Sequence, residues 1–126
     1  MKRKIVLAVV VTAILTGLLS FMAMALFLRP TTLDIGAVDL NTVADGEYIG
    51  ICQNKILFAV VKVEVADHQI TRIDILEHKK SYLEQARIFS DSVISEQSLE
   101  VDAVSGATLT SDTIRKAIEN ALKQGQ

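Results

Sequence analysis

The sequence predicts a small α+β domain carried behind an amino-terminal transmembrane helix. Three observations predict it. The first is an uncharged run of 24 residues, from Ile5 to Leu28. The second is a pair of stretches that read as β-strands: Ile56–Val65, continuously apolar in its first half and alternating from Val61, and the returning Ile70–Glu77. The third is a pair of later stretches, Tyr82–Gln97 and Asp112–Lys123, with helical period. The expected architecture is a small antiparallel sheet with two helices packed on one face.

The uncharged run would form a helix of about 36 Å, enough to cross a hydrocarbon core of ~30 Å. Lys2, Arg3 and Lys4 precede it, and Arg29 and Pro30 follow it. That charge bias predicts a cytoplasmic amino terminus and a carboxy-terminal domain outside the cytoplasm. A cleaved signal is the competing reading, because Ala23-Met24-Ala25 has the small-x-small pattern of a cleavage site. The run is longer than the ~7–15 residues of a signal core and continues past that site, so residues 1–29 are read as a retained anchor. No Cys follows the run closely enough for lipid attachment, since Cys52 is far downstream.

Residues 30–44 are polar and aperiodic and read as a linker, with the domain over residues 45–126. Asp45-Gly46 is a turn signal that opens a short strand through Tyr48 and Ile49 to Ile51, and Gln53-Asn54-Lys55 reads as the next turn. In the strand from Ile56, Val61, Val63 and Val65 share one face, with Lys62 and Glu64 on the other. Asp67-His68-Gln69 reads as a hairpin turn, and the returning strand sets Ile73 and Ile75 on the buried side. In the first later helix Tyr82, Ala86, Phe89 and Val93 make the apolar stripe. In the last, Ile114, Ala117, Ile118, Ala121 and Leu122 do so, with Ser111 expected as N-cap and Asp112 and Lys123 matching the helix dipole.

Composition excludes several functions. With 126 residues there is room for one ordinary domain. Its single Cys forbids an internal disulfide and a multi-Cys zinc site, and two His without a ligand cluster give no expected metal site. Lys2, Arg3 and Lys4 are three of the 13 basic residues, which leaves 10 against 15 acids, a net of −5 for the remainder. Such a balance lacks the basic footprint of a nucleic-acid binder. Neither paired carboxylates nor a nucleophile–base set appears, so no catalytic residues are assigned.

The segment Val101-Asp102-Ala103-Val104-Ser105-Gly106-Ala107-Thr108-Leu109-Thr110-Ser111 carries the chemistry. Gly106 permits positive φ and close approach, Ala107 keeps the surface open, and the following helix start offers free N–H groups. Ser105, Thr108, Thr110 and Ser111 supply hydroxyls as donors or as a point of esterification. These residues suit a phosphate-bearing ligand, and equally an ordinary ligand-free capping turn.

Asp102-x-x-Ser105-Gly106-Ala107-Thr108-x-Thr110 resembles the attachment motif of the FMN-binding domain family. This family includes flavin subunits of sodium-pumping NADH:quinone reductases and Rnf-type complexes, and small exported flavoproteins. Asp45-Gly46-Glu47-Tyr48-Ile49-Gly50 is similar to the opening of the family domain. The stretches Val61–Val65 and Ile75–Lys79, with Ala117-Ile118 and Ala121-Leu122, resemble its hairpin and closing helix. The resemblance implies FMN joined through a phosphoester to Thr108, installed from FAD by a flavin transferase. It implies Ser105, Gly106, Ala107, Thr110 and Ser111 around the phosphate, Asp102 orienting the loop or assisting attachment, and His78 as a contact to flavin or phosphate. It further implies an electron carrier in the membrane, with redox proteins or quinone as partners. The other readings are a flavin-bearing subunit of a larger complex and a flavin-free interaction or sensor module.

Overall fold

The computed structural model describes residues 1–29, 33 and 35–126. Helix α1 covers Lys2–Phe27, with every residue exposed, and is long and apolar enough to cross a membrane. Pro30, Thr31, Thr32 and Asp34 of the expected linker lie outside the described residues.

Strands β1 (Gly46–Asn54), β2 (Leu57–Ala66) and β3 (Gln69–Glu77) form one antiparallel sheet in the order β1-β2-β3. Helices α2 (Leu83–Glu96) and α3 (Thr108–Lys123) complete the α+β domain. The two connections are tight because Lys55, Asp67 and His68 accept positive φ. The first turn therefore falls at Lys55 and Ile56, and β1 runs three residues further than its short apolar stretch predicts. Asn54, expected in the turn, is instead buried and paired with Leu57.

Alternation decides which face of the sheet is covered. Gly50, Cys52 and Asn54 of β1 point inward, with Ala59, Val61, Val63 and Val65 of β2. Against them lie Ile114, Ala117, Ile118, Ala121 and Leu122 of α3, all fully buried. Ala86, Phe89 and Val93 of α2 close the same core, as their spacing predicts. At Gly50 the helix comes so close that a Cβ would overlap the Ala117 carbonyl and stand 2.7 Å from the Ala121 nitrogen. The end of α2 is fixed by Gln97, in the left-handed region at φ 51°. Its amide donates to the Ile70 carbonyl at 2.8 Å and accepts from the Ile70 N–H at 2.7 Å, extending β3 like an added strand residue.

The segment before β1 packs more than a connector would. Leu33, Val38 and Leu40 rest on the core, and Val43 is fully buried. Asp39 caps a single 3-10 turn, Leu40–Thr42, by accepting from the Asn41 N–H. The Gly36 N–H donates to Glu119 of α3 at 3.1 Å. Packing on the core therefore extends to residues before 45.

The largest revision concerns α3. It begins at Thr108 with Ala107 as N-cap, and Ser111 is one turn inside. The Ser111 hydroxyl accepts from the Val104 N–H at 3.0 Å and donates to the Ala107 carbonyl at 2.8 Å. A residue expected to start the helix instead bolts its first turn to the preceding loop.

Candidate functional site

The loop before α3 closes in a turn: the Ala107 N–H donates to the Val104 carbonyl at 2.9 Å. Gly106, third in that turn, has φ +77°, which side-chain-bearing residues rarely adopt. A Cβ at Gly106 would meet nothing within 4 Å, so it is backbone conformation, together with an open approach, that glycine serves here.

The next residue but one is Thr108, exposed, in the first position of α3. The backbone ladder starts with the Ser111 N–H donating to the Ala107 carbonyl. The N–H groups of Thr108, Leu109 and Thr110 precede it, and no side chain caps them. Thr108 thus presents its hydroxyl beside free donors and the positive end of a helix of 16 residues.

These groups line a cleft of about 430 Å³. Gly106 to Thr110 form one wall, Ile56 comes from the β1–β2 turn and Leu57 from the start of β2, and Lys79 and Tyr82 come from the β3–α2 connection. Lys79 Nζ lies 5.6 Å from the Tyr82 ring centroid. The lining holds this cation and no carboxylate, the balance a bound phosphate needs. An adjoining cleft shares Ile56 and Lys79 and adds Phe58, Leu76 and His78.

His78 directly follows β3, at the edge of this region. Its Nδ1 is 3.0 Å from the Phe58 carbonyl, which can only accept, so Nδ1 carries the proton. Its Nε2 then accepts from the Thr110 hydroxyl at 3.4 Å. Thr110 is 2% exposed, and this contact ties the first turn of α3 to the start of β2.

The residues singled out in the sequence are therefore divided. Gly106, Ala107, Thr108 and Thr110 line the first cleft, and His78 lines its neighbour through contact with Thr110. Ser105 is exposed on the turn but does not line the cleft, and Asp102 is exposed further back in the loop. Ser111 is fully buried, with its hydroxyl committed to Val104 and Ala107, so it braces the loop and does not face the cleft. Tyr48 packs on the core and donates to the Ala44 carbonyl at 2.6 Å. Cys52 is buried in the core, and burial raises its thiol pKa against a smaller opposing pull from Lys116, leaving it protonated and unreactive.

Two contributors carried no sequence signal of their own. Tyr82 read as part of a core stripe and Lys79 only as the end of the hairpin stretch, and the fold brings both to the cleft beside Thr108. Arg115 was equally silent. It pairs with Asp112 at 2.6 Å, donates to the Val101 carbonyl and lies 5.0 Å from the Phe89 ring centroid. It thereby holds the loop preceding the motif against both helices.

A family model, the FMN-binding domain, matches residues 58–123, which is more than half of the chain. The chain belongs to the FMN-binding domain family. The match runs from the start of β2 to the end of α3 and contains the whole Thr108 segment. Strand β1 lies outside it, although β1 pairs with β2 along its full length. No solved structure matches the chain. FMN is the cofactor this family implies, and the site fits it: an exposed hydroxyl, uncapped helix donors and a lysine meet beside an apolar-walled cleft.

Proposed function

We propose that the chain is a membrane-anchored flavoprotein, its domain outside the cytoplasm, carrying electrons on FMN joined by a phosphoester to Thr108. The observation that carries this reading is the exposed Thr108 hydroxyl on the first residue of an uncapped helix, beside the open turn at Gly106. A flavin transferase would join Thr108 Oγ1 to the FMN phosphorus of FAD, breaking the pyrophosphate bond, with AMP as leaving group and the hydroxyl proton released with it. Lys79 and the N–H groups of Thr108, Leu109 and Thr110 hold the phosphate charge. Ile56, Tyr82 and Leu109 offer apolar surface to a planar ring. His78 and Thr110 hold the first turn of α3 in place, and Ser111 and Arg115 hold the loop.

Bound there, FMN supplies one- and two-electron transfer, and the chain supplies position and electrostatics. The electrostatics of the cleft are not those of the domain as a whole. The net charge of −5 would disfavour an anionic reduced flavin, whereas Lys79 and the helix start favour it locally. Redox partners outside the membrane, or quinone within it, exchange the electrons.

The test is protein purified from cells that contain a flavin transferase. Wild type is expected to be yellow and to give a fluorescent band after denaturing electrophoresis, and Thr108→Ala to give neither. A colourless wild-type protein overturns the proposal.

A further inference from the structure

The uncovered face of the sheet is divided in two. At one end Lys62, Glu64, Arg72 and Asp74 form a self-neutralising set of ion pairs. At the other, next to the β1–β2 turn, the face is apolar. Ile51 pairs directly with Val60, Ile49 flanks them, and Phe58 stands opposite Gln53. Ile49 is 49% exposed, Ile51 54%, and Leu76, in the bulge beside Val60, 50%. Ile56, at the turn itself, is 61% exposed. No described residue covers this end.

We propose that this apolar end of the sheet docks on the lipid surface, with Ile51, Ile56, Phe58 and Leu76 entering the headgroup layer. Four features identify lipid as the occupant. Helix α1 can cross a membrane, and Leu33 is already packed on the core five residues after Leu28, the C-cap of α1. Five residues reach at most about 18 Å, so the domain stays close to the bilayer. Lys55 Nζ, on the β1–β2 turn, lies 5.3 Å from the ring centroid of Phe27, the last residue of α1, which brings this turn to the end of the spanning helix. Lys55 and Lys80 stand beside the apolar end, where they can meet lipid phosphates, with Glu77 as the nearby acid. Apolar insertion combined with basic side chains is the chemistry of an interfacial anchor.

The Thr108 cleft shares Ile56 and Lys79 with this surface. On the flavin reading, on which this consequence alone rests, docking sets the redox site beside the bilayer, within reach of a lipid-soluble electron carrier.

The test reads depth directly and needs no flavin. The full chain, one copy per nanodisc of phosphatidylcholine and anionic phosphatidylglycerol, carries an environment-sensitive fluorophore on Ile51→Cys or, as control, on Arg87→Cys of α2. The buried Cys52 does not compete for label. Brominated lipid is expected to quench position 51 several-fold more than position 87. Adding Phe58→Glu or Ile56→Glu, both at exposed sites, is expected to remove most of that difference, with circular dichroism unchanged. Equal quenching at 51 and 87 overturns the proposal. So does quenching at 51 that survives both glutamates, or protection that appears only with two copies per disc, which would identify a second chain as the occupant.

Discussion

His78 Nε2 stands 3.4 Å from the Thr110 hydroxyl, and its Nδ1 is held at 3.0 Å by the Phe58 carbonyl. One imidazole therefore spans β2 and α3, two residues from the hydroxyl proposed to carry FMN. Through this bridge the sheet sets the angle of the helix start, and the helix start sets where Thr108 points.

Thr110→Val removes the bridge while keeping the side-chain volume. A single lost hydrogen bond of this kind costs about 1 kcal/mol, so the domain should still fold. Covalent flavin loading by the transferase should fall, and Thr110→Ser should restore it. Comparing flavin fluorescence per chain in the two variants checks this, with urea midpoints as the control for folding. Full loading of Thr110→Val would show the bridge to be dispensable.

Two glycines should respond differently. Gly50→Ala drives a Cβ into the Ala117 carbonyl, a backbone collision that no rotamer change relieves. A loss of about 3 kcal/mol or more is expected. Gly106→Ala meets no atom and suffers only its positive φ, costing about 1 kcal/mol. Thermal unfolding of the two variants in detergent should give a much lower Tm for Gly50→Ala than for Gly106→Ala.

Glu119 gives the fold an acid limit. Its carboxylate is fully buried and receives Lys123 at 2.6 Å, Lys116 at 3.0 Å and the Gly36 N–H at 3.1 Å. Burial pushes its pKa up, but the hydrogen bonds from Lys123, Lys116 and Gly36 outweigh burial and hold it below its ordinary value of 4.5. Because the folded pKa is the lower one, the group stabilises the fold above that ordinary value, and the contribution is lost as pH falls through the folded pKa. Glu119→Gln should cost about 3 kcal/mol near neutrality, since it leaves two lysines against an uncharged group. Urea titrations from pH 7 to pH 3 should show a steeper acid loss in wild type than in the variant.

Topology is open to thiol labelling. A membrane-impermeant maleimide applied to intact cells should label Arg87→Cys. Lys2→Cys should react only after lysis. The reverse pattern would place the domain in the cytoplasm and remove it from an exported flavin transferase.

Strands β2 and β3 and both domain helices were legible because each carries a simple period, such as Val61-x-Val63-x-Val65 or Ile114-x-x-Ala117-Ile118, and the long apolar helix because it is an uncharged run. The start of α3 was not. Ser111-Asp112 imitates a capping pair, whereas the real start depends on the Ser111 hydroxyl reaching back to Val104, a contact with no local signature. The segment from Leu33 to Val43 was missed for a similar reason. The apolar residues it packs on the core, Leu33, Val38, Leu40 and Val43, follow no period, and its anchor at Gly36 lies 83 positions from Glu119. Of the site, the motif itself could be read directly. Lys79 and Tyr82 could not, since the cleft is assembled from three separate parts of the chain.

The intact mass of the mature chain, made alongside a flavin transferase, bears most directly on the whole account. Wild type should carry one FMN less the water lost on esterification, localised by peptide mapping to Thr108, and Thr108→Ala should carry none. An unmodified wild-type mass, or the same increment on Thr108→Ala, would contradict it.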